Sequence, residues 1–385
     1  MKTDFSCILC VADINITKAL DECLSELKLP EVYIQRAKQM SLVDKTGLLG
    51  LRPATKLEES RALIYRIFIP SEFEKGIANR IIDATDMKMG GRGCILIQRI
   101  GHHRGTPFSY DLEKLKMLCG NKGKLRHEEH CLLSCIVPRG EANSLTRAIL
   151  DMGLCVPVVF YGTGVGLRDK LGLMRITVPI EKEIIWFIIP HSEVQLVEKI
   201  IIPLARLDVP GRGFLYKFPV FAPVINLRIR HGKRVHAASM EQVITALDEV
   251  RGSSDWRRLG TKKTGLGDDK EKILHCKGLF FIGEDEEVET FRRTAIESGA
   301  RGATLNQLEL RSYAGLTQEQ AMESHSRSLC DIIIPPAIEE VLMKNITKTE
   351  LFDMGKTCVL KIFGVEMPIF PRHSGAYNSK KWFVQ

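Results

Sequence analysis

The chain has 385 residues, 44% hydrophobic and 26% charged, with 55 Lys and Arg against 47 Asp and Glu for a formal net charge of +8. That excess is mild: it suits phosphate-bearing partners but falls short of a strongly basic nucleic-acid-binding chain. No apolar run approaches the roughly 20 residues needed to span a bilayer, which argues against membrane insertion.

The opening run MKTDFSCILCVADI, with Asp4 and Asp13 bracketing a short apolar stretch, reads as a first strand and not a signal peptide. A helix over 15–28 follows, with Ile16, Leu20, Cys23, Leu24 and Leu27 at helical spacing and Asn15 as N-cap. Residues 31–43 are extended, Asp44 to Ser60 is a polar loop, 61–70 is a buried strand, 73–86 a second helix and 94–100 a closing strand. This βαββαβ order predicts an open ferredoxin-like sandwich.

The same order returns at 131–220 and again at 277–365. Strand-ending Pro70, Pro190 and Pro335, and strand-opening Cys94, Phe214 and Cys358, keep step at spacings of about 120 and then about 145 residues. Gly153 and Gly299 end corresponding helices and suit left-handed positions. The expected organisation is therefore α+β: three tandem ferredoxin-like domains at 1–107, 127–237 and 273–373, arranged as an intramolecular, monomeric pseudo-trimer with ligand clefts between them. Residues 108–126 form a linker with a short helix, 238–272 a linker with an amphipathic helix carrying Met240, Val243, Ile244, Leu247 and Val250 on one face, and 374–385 a tail. Eleven cysteines, mostly within apolar strand patterns, read as buried free thiols of a reducing compartment, so the expected location is cytoplasmic.

Gly91, Arg92, Gly93 and Gly211, Arg212, Gly213 stand where a helix has finished and the last strand begins; Gly355 and Lys356 are the third copy. Glycine permits positive φ and close backbone approach, so successive N–H groups can form an anion-binding concavity to which the cation adds a charge-assisted bond. Arg228 and Arg230 alternate along an extended segment and so share a face, as a phosphate clamp requires. The corresponding tails carry Arg99 and Arg104 in the first repeat and Arg372 in the third.

At these residues the chain resembles the PII nitrogen-regulatory and PII-like signalling family, most closely over EKEIIWFIIP, PGRGFLYKFPV and LRIRHGK of the second repeat. The resemblance implies a signal-transduction regulator binding a small effector, ATP or ADP, between modules, with no cofactor required for folding. It implies the glycine turns and Arg228 with Arg230 as the nucleotide site. It also implies control of a regulated protein, a transporter or an enzyme, through loops at 44–61, 161–176 and 311–328, with nitrogen status as the candidate signal. Where the family's turn ends in a lysine, this chain has Cys94, Phe214 and Cys358, and the family's magnesium- and 2-oxoglutarate-coordinating glutamine is assigned to no residue.

Three other readings compete. RGFLYKF, Arg212 to Phe218, resembles an aromatic RNA-binding strand motif, but it lies in the last strand and the other repeats lack its aromatics, so nucleic acid is disfavoured as a partner. His127, His130, Cys131 and Cys135 have ligand chemistry but no paired metal motif. A nucleotide-using enzyme with a site assembled between modules leaves no nucleophile or Walker pattern to assign.

Overall fold

The structure is a computed structural model. It describes residues 5–44, 55–104, 106–119, 129–165, 181–209, 211–231, 273–314, 324–353 and 355–368. The first repeat supplies β1 (Phe5–Asp13), α1 (Thr17–Leu27), β2 (Val32–Asp44), β3 (Thr55–Pro70), α2 (Glu74–Thr85) and β4 (Gly93–His103), followed by α3 (Leu112–Cys119). The second supplies β5 (Glu129–Pro138), α4 (Ala142–Asp151), β6 (Val158–Val165), β7 (Glu181–Pro190), α5 (Val194–Leu204), β8 (Phe214–Val224) and the two-residue β9 (Arg230–His231). The third supplies β10 (Ile273–Gly283), α6 (Asp285–Glu297), β11 (Ala303–Arg311), β12 (Ser324–Ile334), α7 (Pro336–Ile346) and β13 (Val359–Pro368).

Local chemistry sets these boundaries. β3 and β7 each end at a proline, and a three-residue 3-10 turn carries the chain into the next helix. α1 buries Leu20, Cys23, Leu24 and Leu27 on one face and stops at Lys28, which takes the left-handed conformation. α6 opens on a reciprocal capping box between Glu284 and Glu287.

All thirteen strands among the described residues belong to one sheet. Within each repeat the order is β4-β1-β3-β2, β8-β5-β7-β6 and β13-β10-β12-β11. At one seam β4, β8 and β13 pair with one another, and at the other β2, β6 and β11 do so; every pairing is antiparallel except the short β2–β9 contact.

This sheet corrects the expected fold class. Three ferredoxin-like domains set side by side as a pseudo-trimer would each keep a sheet with its own edges. Here the outer strands of every repeat are hydrogen-bonded to outer strands of the others, so the chain closes into a single antiparallel β-barrel that is mostly sheet, with its helices outside. The physical reason is two-sided apolar character. Along β1, Cys7, Leu9 and Val11 enter a core shared with Trp186, Tyr216, Phe280 and Phe363 from the other repeats, while Ile8, Cys10 and Ala12 pack outward beneath α1 and α2. Helices cover only one face of each strand, and closure covers the other. Two further outer clusters lie under α4 with α5 and under α6 with α7.

The expected loop from Asp44 to Ser60 is shorter than read, because β2 runs to Asp44 and β3 starts at Thr55. The strands continue because they pair through Asp44↔Thr55, and a polar exposed strand has no apolar alternation by which to be recognised. The predicted helix of the first linker is α3, and that of the second, near 240–250, lies outside the described residues. Among the described residues no helix is long and apolar enough to cross a membrane.

One polar layer interrupts the shared core. Arg66 donates from Nη2 to Gln35 Oε1 (2.6 Å) and its guanidinium lies 5.6 Å from the Trp186 ring centroid. Tyr216 donates to Asp331 Oδ2 (2.8 Å), and Lys361 Nζ lies over the Phe363 ring at 4.7 Å. Burial pushes the Asp331 carboxyl up to about 7, against the opposing hydrogen bond from Tyr216 and the fields of Lys361 and Arg66.

Candidate functional site

α2 ends at Asp86 in the left-handed conformation, and the chain turns through Gly91 (φ +92°) and Gly93 (φ +140°) into β4. Glycine is required at both. A Cβ on Gly93 would stand 1.8 Å from the Val11 carbonyl oxygen, and one on Gly91 would stand 2.9 Å from Arg228 Cδ. Gly93 thus lets β4 seat against β1, while Gly91 admits Arg228 from the second repeat.

Asn226 locks this junction. Its Oδ1 accepts from the Gly91 N–H (2.9 Å) and from the Arg228 N–H (3.1 Å), which turns its Nδ2 to donate to Gln39 Oε1 (2.7 Å). Gln39 is nearly fully buried, and its own amide Nε2 has no partner among the described residues. Backbone bonds from Met40 to Pro157 (2.9 Å) and from Leu42 to Ile229 (2.8 Å) hold β2 against the second repeat on both sides of this point.

The result is a cleft of about 530 Å³ between the first two repeats, within the ordinary range for small-molecule sites. The turn Met89 to Arg92 forms one wall and Asn226 with Arg228 another. Gln39, Ser41 and Ser60 supply neutral polar groups, Ile16 and Val156 apolar surface, and Asp13 a carboxylate that accepts from the Asn15 N–H (3.0 Å) and Nδ2 (2.7 Å). The Arg228 guanidinium is exposed, lines the cleft and has no partner among the described residues. Behind Gln39 a second cavity of about 10 Å³, lined in part by Cys94 and Cys155, has room for little more than one water.

The residues expected at the site separate into two groups. Gly91, Arg92 and Arg228 line the cleft, but Arg92 is engaged elsewhere, donating from Nη1 to the Thr85 carbonyl (2.7 Å) at the end of α2 with Asp86 at 3.5 Å. Arg228 and Arg230 are both exposed with Ile229 buried between them, as their alternation requires, yet Arg230 stands on β9 away from the cleft lining. Gly211 (φ +84°) and Gly213 (φ +138°) repeat the first turn's backbone, and Arg212 pairs with Glu141 at 2.9 Å. Lys356 pairs with Glu287 at 3.6 Å. All three turn cations therefore already have partners in their own repeats.

The turn at Gly355 is covered by the tail of the first repeat. Thr106 Oγ1 accepts from the Gly355 N–H (3.1 Å), and the Thr106 N–H donates to the Lys356 carbonyl (3.2 Å). Arg104, a tail arginine, is held by Glu31 through two bonds of 2.6 and 2.5 Å and stacks 4.2 Å from the Phe108 centroid. Arg99 faces Glu74 at 3.8 Å, and Arg372 lies outside the described residues.

Gln39, Asn226 and Ser41 escaped the sequence reading. Their signal was the polar alternation of Gln35, Gln39 and Ser41 along a strand otherwise rich in apolar residues, and the position of Asn226 two residues before Arg228. The aromatic strand motif is also relocated: Tyr216 and Phe218 stack at 6.2 Å inside the barrel, nearly fully buried, where no base can reach them. Cys131 and Cys135 are buried in β5, and among the described residues no group of three or more His, Cys, Asp or Glu is placed to hold a metal.

No known protein family and no curated protein matches the chain. Among solved structures there is a distant likeness to GlnK of B. subtilis, a PII protein, at a TM-score of 0.21 and 10% identity, covering 29% of this chain and 98% of that one.

Proposed function

We propose that this chain is a PII-like regulator whose cleft between the first two repeats takes a small phosphate-bearing effector of the adenine-nucleotide class. The observation that carries the reading is Arg228, an exposed guanidinium without a partner among the described residues, facing a cleft of about 530 Å³ beside the Gly91 turn. A fork of N–H donors at a glycine turn is suited to a phosphate, and the Ser41 and Ser60 hydroxyls are suited to polar groups on the remainder of the ligand.

Regulation follows from where these groups sit. Gln39 and Ser41 lie on β2 and Ser60 on β3, and both strands run on from the cleft to Asp44 and Thr55. An effector that binds one arrangement of this strand pair more tightly than another biases the pair, and with it a partner protein, a transporter or an enzyme. Such a protein binds nucleotide without consuming it.

Calorimetry on the full chain with ATP, ADP and AMP, alongside an assay for released phosphate, tests the reading. Binding that Arg228→Ala weakens, without turnover, is the expected result. Steady product formation would make the chain an enzyme instead, and no binding of any nucleotide would remove the proposal.

A further inference from the structure

Resting on that reading of the cleft, we infer that its effector is a nucleoside monophosphate and not a di- or triphosphate. The argument is a charge balance. Among the described residues the cleft offers one unpartnered guanidinium, Arg228. Arg92 also lines the cleft, but it holds the end of α2 through the Thr85 carbonyl and its charge is paired with Asp86 at 3.5 Å, and the Gly91 N–H is capped by Asn226 Oδ1. Asp13, whose N–H donates to the Arg92 carbonyl (2.8 Å), adds negative charge beside the glycine turn.

One arginine fork offsets most of the charge of one phosphate, about −1.5 to −2 at neutral pH, and has nothing left for a second. Each additional phosphate brings further negative charge that Arg228 cannot match and that Asp13 repels. Apart from Arg92 and Asp13 the rest of the lining is neutral: the Ser41 and Ser60 hydroxyls suit a sugar or base edge, and Ile16 and Val156 suit a flat apolar face. One cation followed by neutral donors and apolar surface describes a ligand with one charged end.

The test is calorimetry on the full chain with AMP, ADP, ATP, adenosine and inorganic phosphate at fixed ionic strength. AMP is expected to bind about tenfold or more tightly than ATP. Adenosine and inorganic phosphate are each expected to bind at least about tenfold more weakly than AMP. Arg228→Ala is expected to lower AMP affinity about 10- to 100-fold, with Arg228→Lys recovering part of it. Circular dichroism of both variants checks that they are folded, and the exposure of Arg228 predicts that they are. ATP binding as tightly as AMP overturns this inference while leaving the nucleotide reading intact. Inorganic phosphate binding as tightly as AMP overturns it as well, as a bare anion site. Absence of binding by every nucleotide overturns both.

Discussion

Gly93→Ala and Gly355→Ala change the same residue type in the same left-handed backbone region and differ only in what surrounds the new methyl group. At Gly355 (φ +95°) no atom lies within 4 Å of the added Cβ, so the cost is the backbone strain alone, about 1–2 kcal/mol. At Gly93 (φ +140°) the Cβ would stand 1.8 Å from the Val11 carbonyl oxygen, a backbone atom in the β1–β4 ladder, where Val11 pairs with Cys94 and Ala12 with Gly93. Contacts under 3.0 Å are essentially never seen, so the strands must part by on the order of 1 Å at this register. Two ladder bonds are then lost or left unsatisfied at about 1–3 kcal/mol each, which with the strain brings the total to about 3–8 kcal/mol. That approaches the whole stability of many proteins. Urea unfolding followed by far-ultraviolet circular dichroism compares the two midpoints. Equal midpoints for Gly93→Ala and Gly355→Ala would refute the close approach of β4 to β1. Gly213→Ala, whose Cβ would lie 2.0 Å from the Ile136 carbonyl oxygen, is an independent repeat in the second repeat and is expected to follow Gly93→Ala.

Arg92→Ala is expected to cost about 1 kcal/mol of stability, through the lost bond to the last carbonyl of α2, and to alter nucleotide affinity less than Arg228→Ala does; calorimetry and urea midpoints showing the opposite ranking would reverse these roles. Lys217→Met removes the ammonium that donates to the fully buried Glu198 at 2.9 and 3.1 Å, and is expected to cost about 3–5 kcal/mol. Adding Glu198→Leu is expected to recover most of that, whereas purely additive losses in a double-mutant cycle would contradict a coupled pair. Because burial raises the Asp331 carboxyl to about 7 in the folded protein, the folded state holds its proton between the usual carboxylate range near 4 and pH 7. Its stabilising contribution is present below the unfolded pKa and is lost as pH rises through about 7. Asp331→Asn, which retains an acceptor for Tyr216 beside Arg66 and Lys361, is expected to flatten that part of the stability profile; matching wild-type and variant profiles from pH 4 to 8 would exclude it.

Much of the local structure was legible because it depends on short-range chemistry. Prolines at 70 and 190 stop their strands because they cannot donate to a ladder, and glycines at 91, 93, 153, 211, 213, 299 and 355 adopt positive φ at turns where side chains are strained. The resemblance implied Gly91 and Arg228 as residues of a nucleotide site, and the fold does set Arg228 against Gly91. What it did not reveal was the disposition of charge. Arg92, Arg212 and Lys356 look equivalent to Arg228 in sequence, yet each meets a partner brought close by the fold: the end of α2, Glu141 on the turn before α4, and Glu287 in the first turn of α6.

Closure of the barrel was the larger omission, although its trace was present. Strands such as FSCILCVAD and EKEIIWFIIP are apolar on both faces, and a single layer of helices covers only one, so the second face had to meet something else. The chain's sequence alone determines which segments become strands and helices, where they stop and which glycines turn, because these follow from neighbours a few residues away. Only the tertiary structure decides that the three repeats share one closed sheet, that Gln39 and Asn226 meet across 187 positions of chain, and that Arg228 alone of the expected cations faces the cleft unpartnered among the described residues. Pairing between distant strand edges and between distant charges is a property of the folded assembly, and no local pattern encodes it.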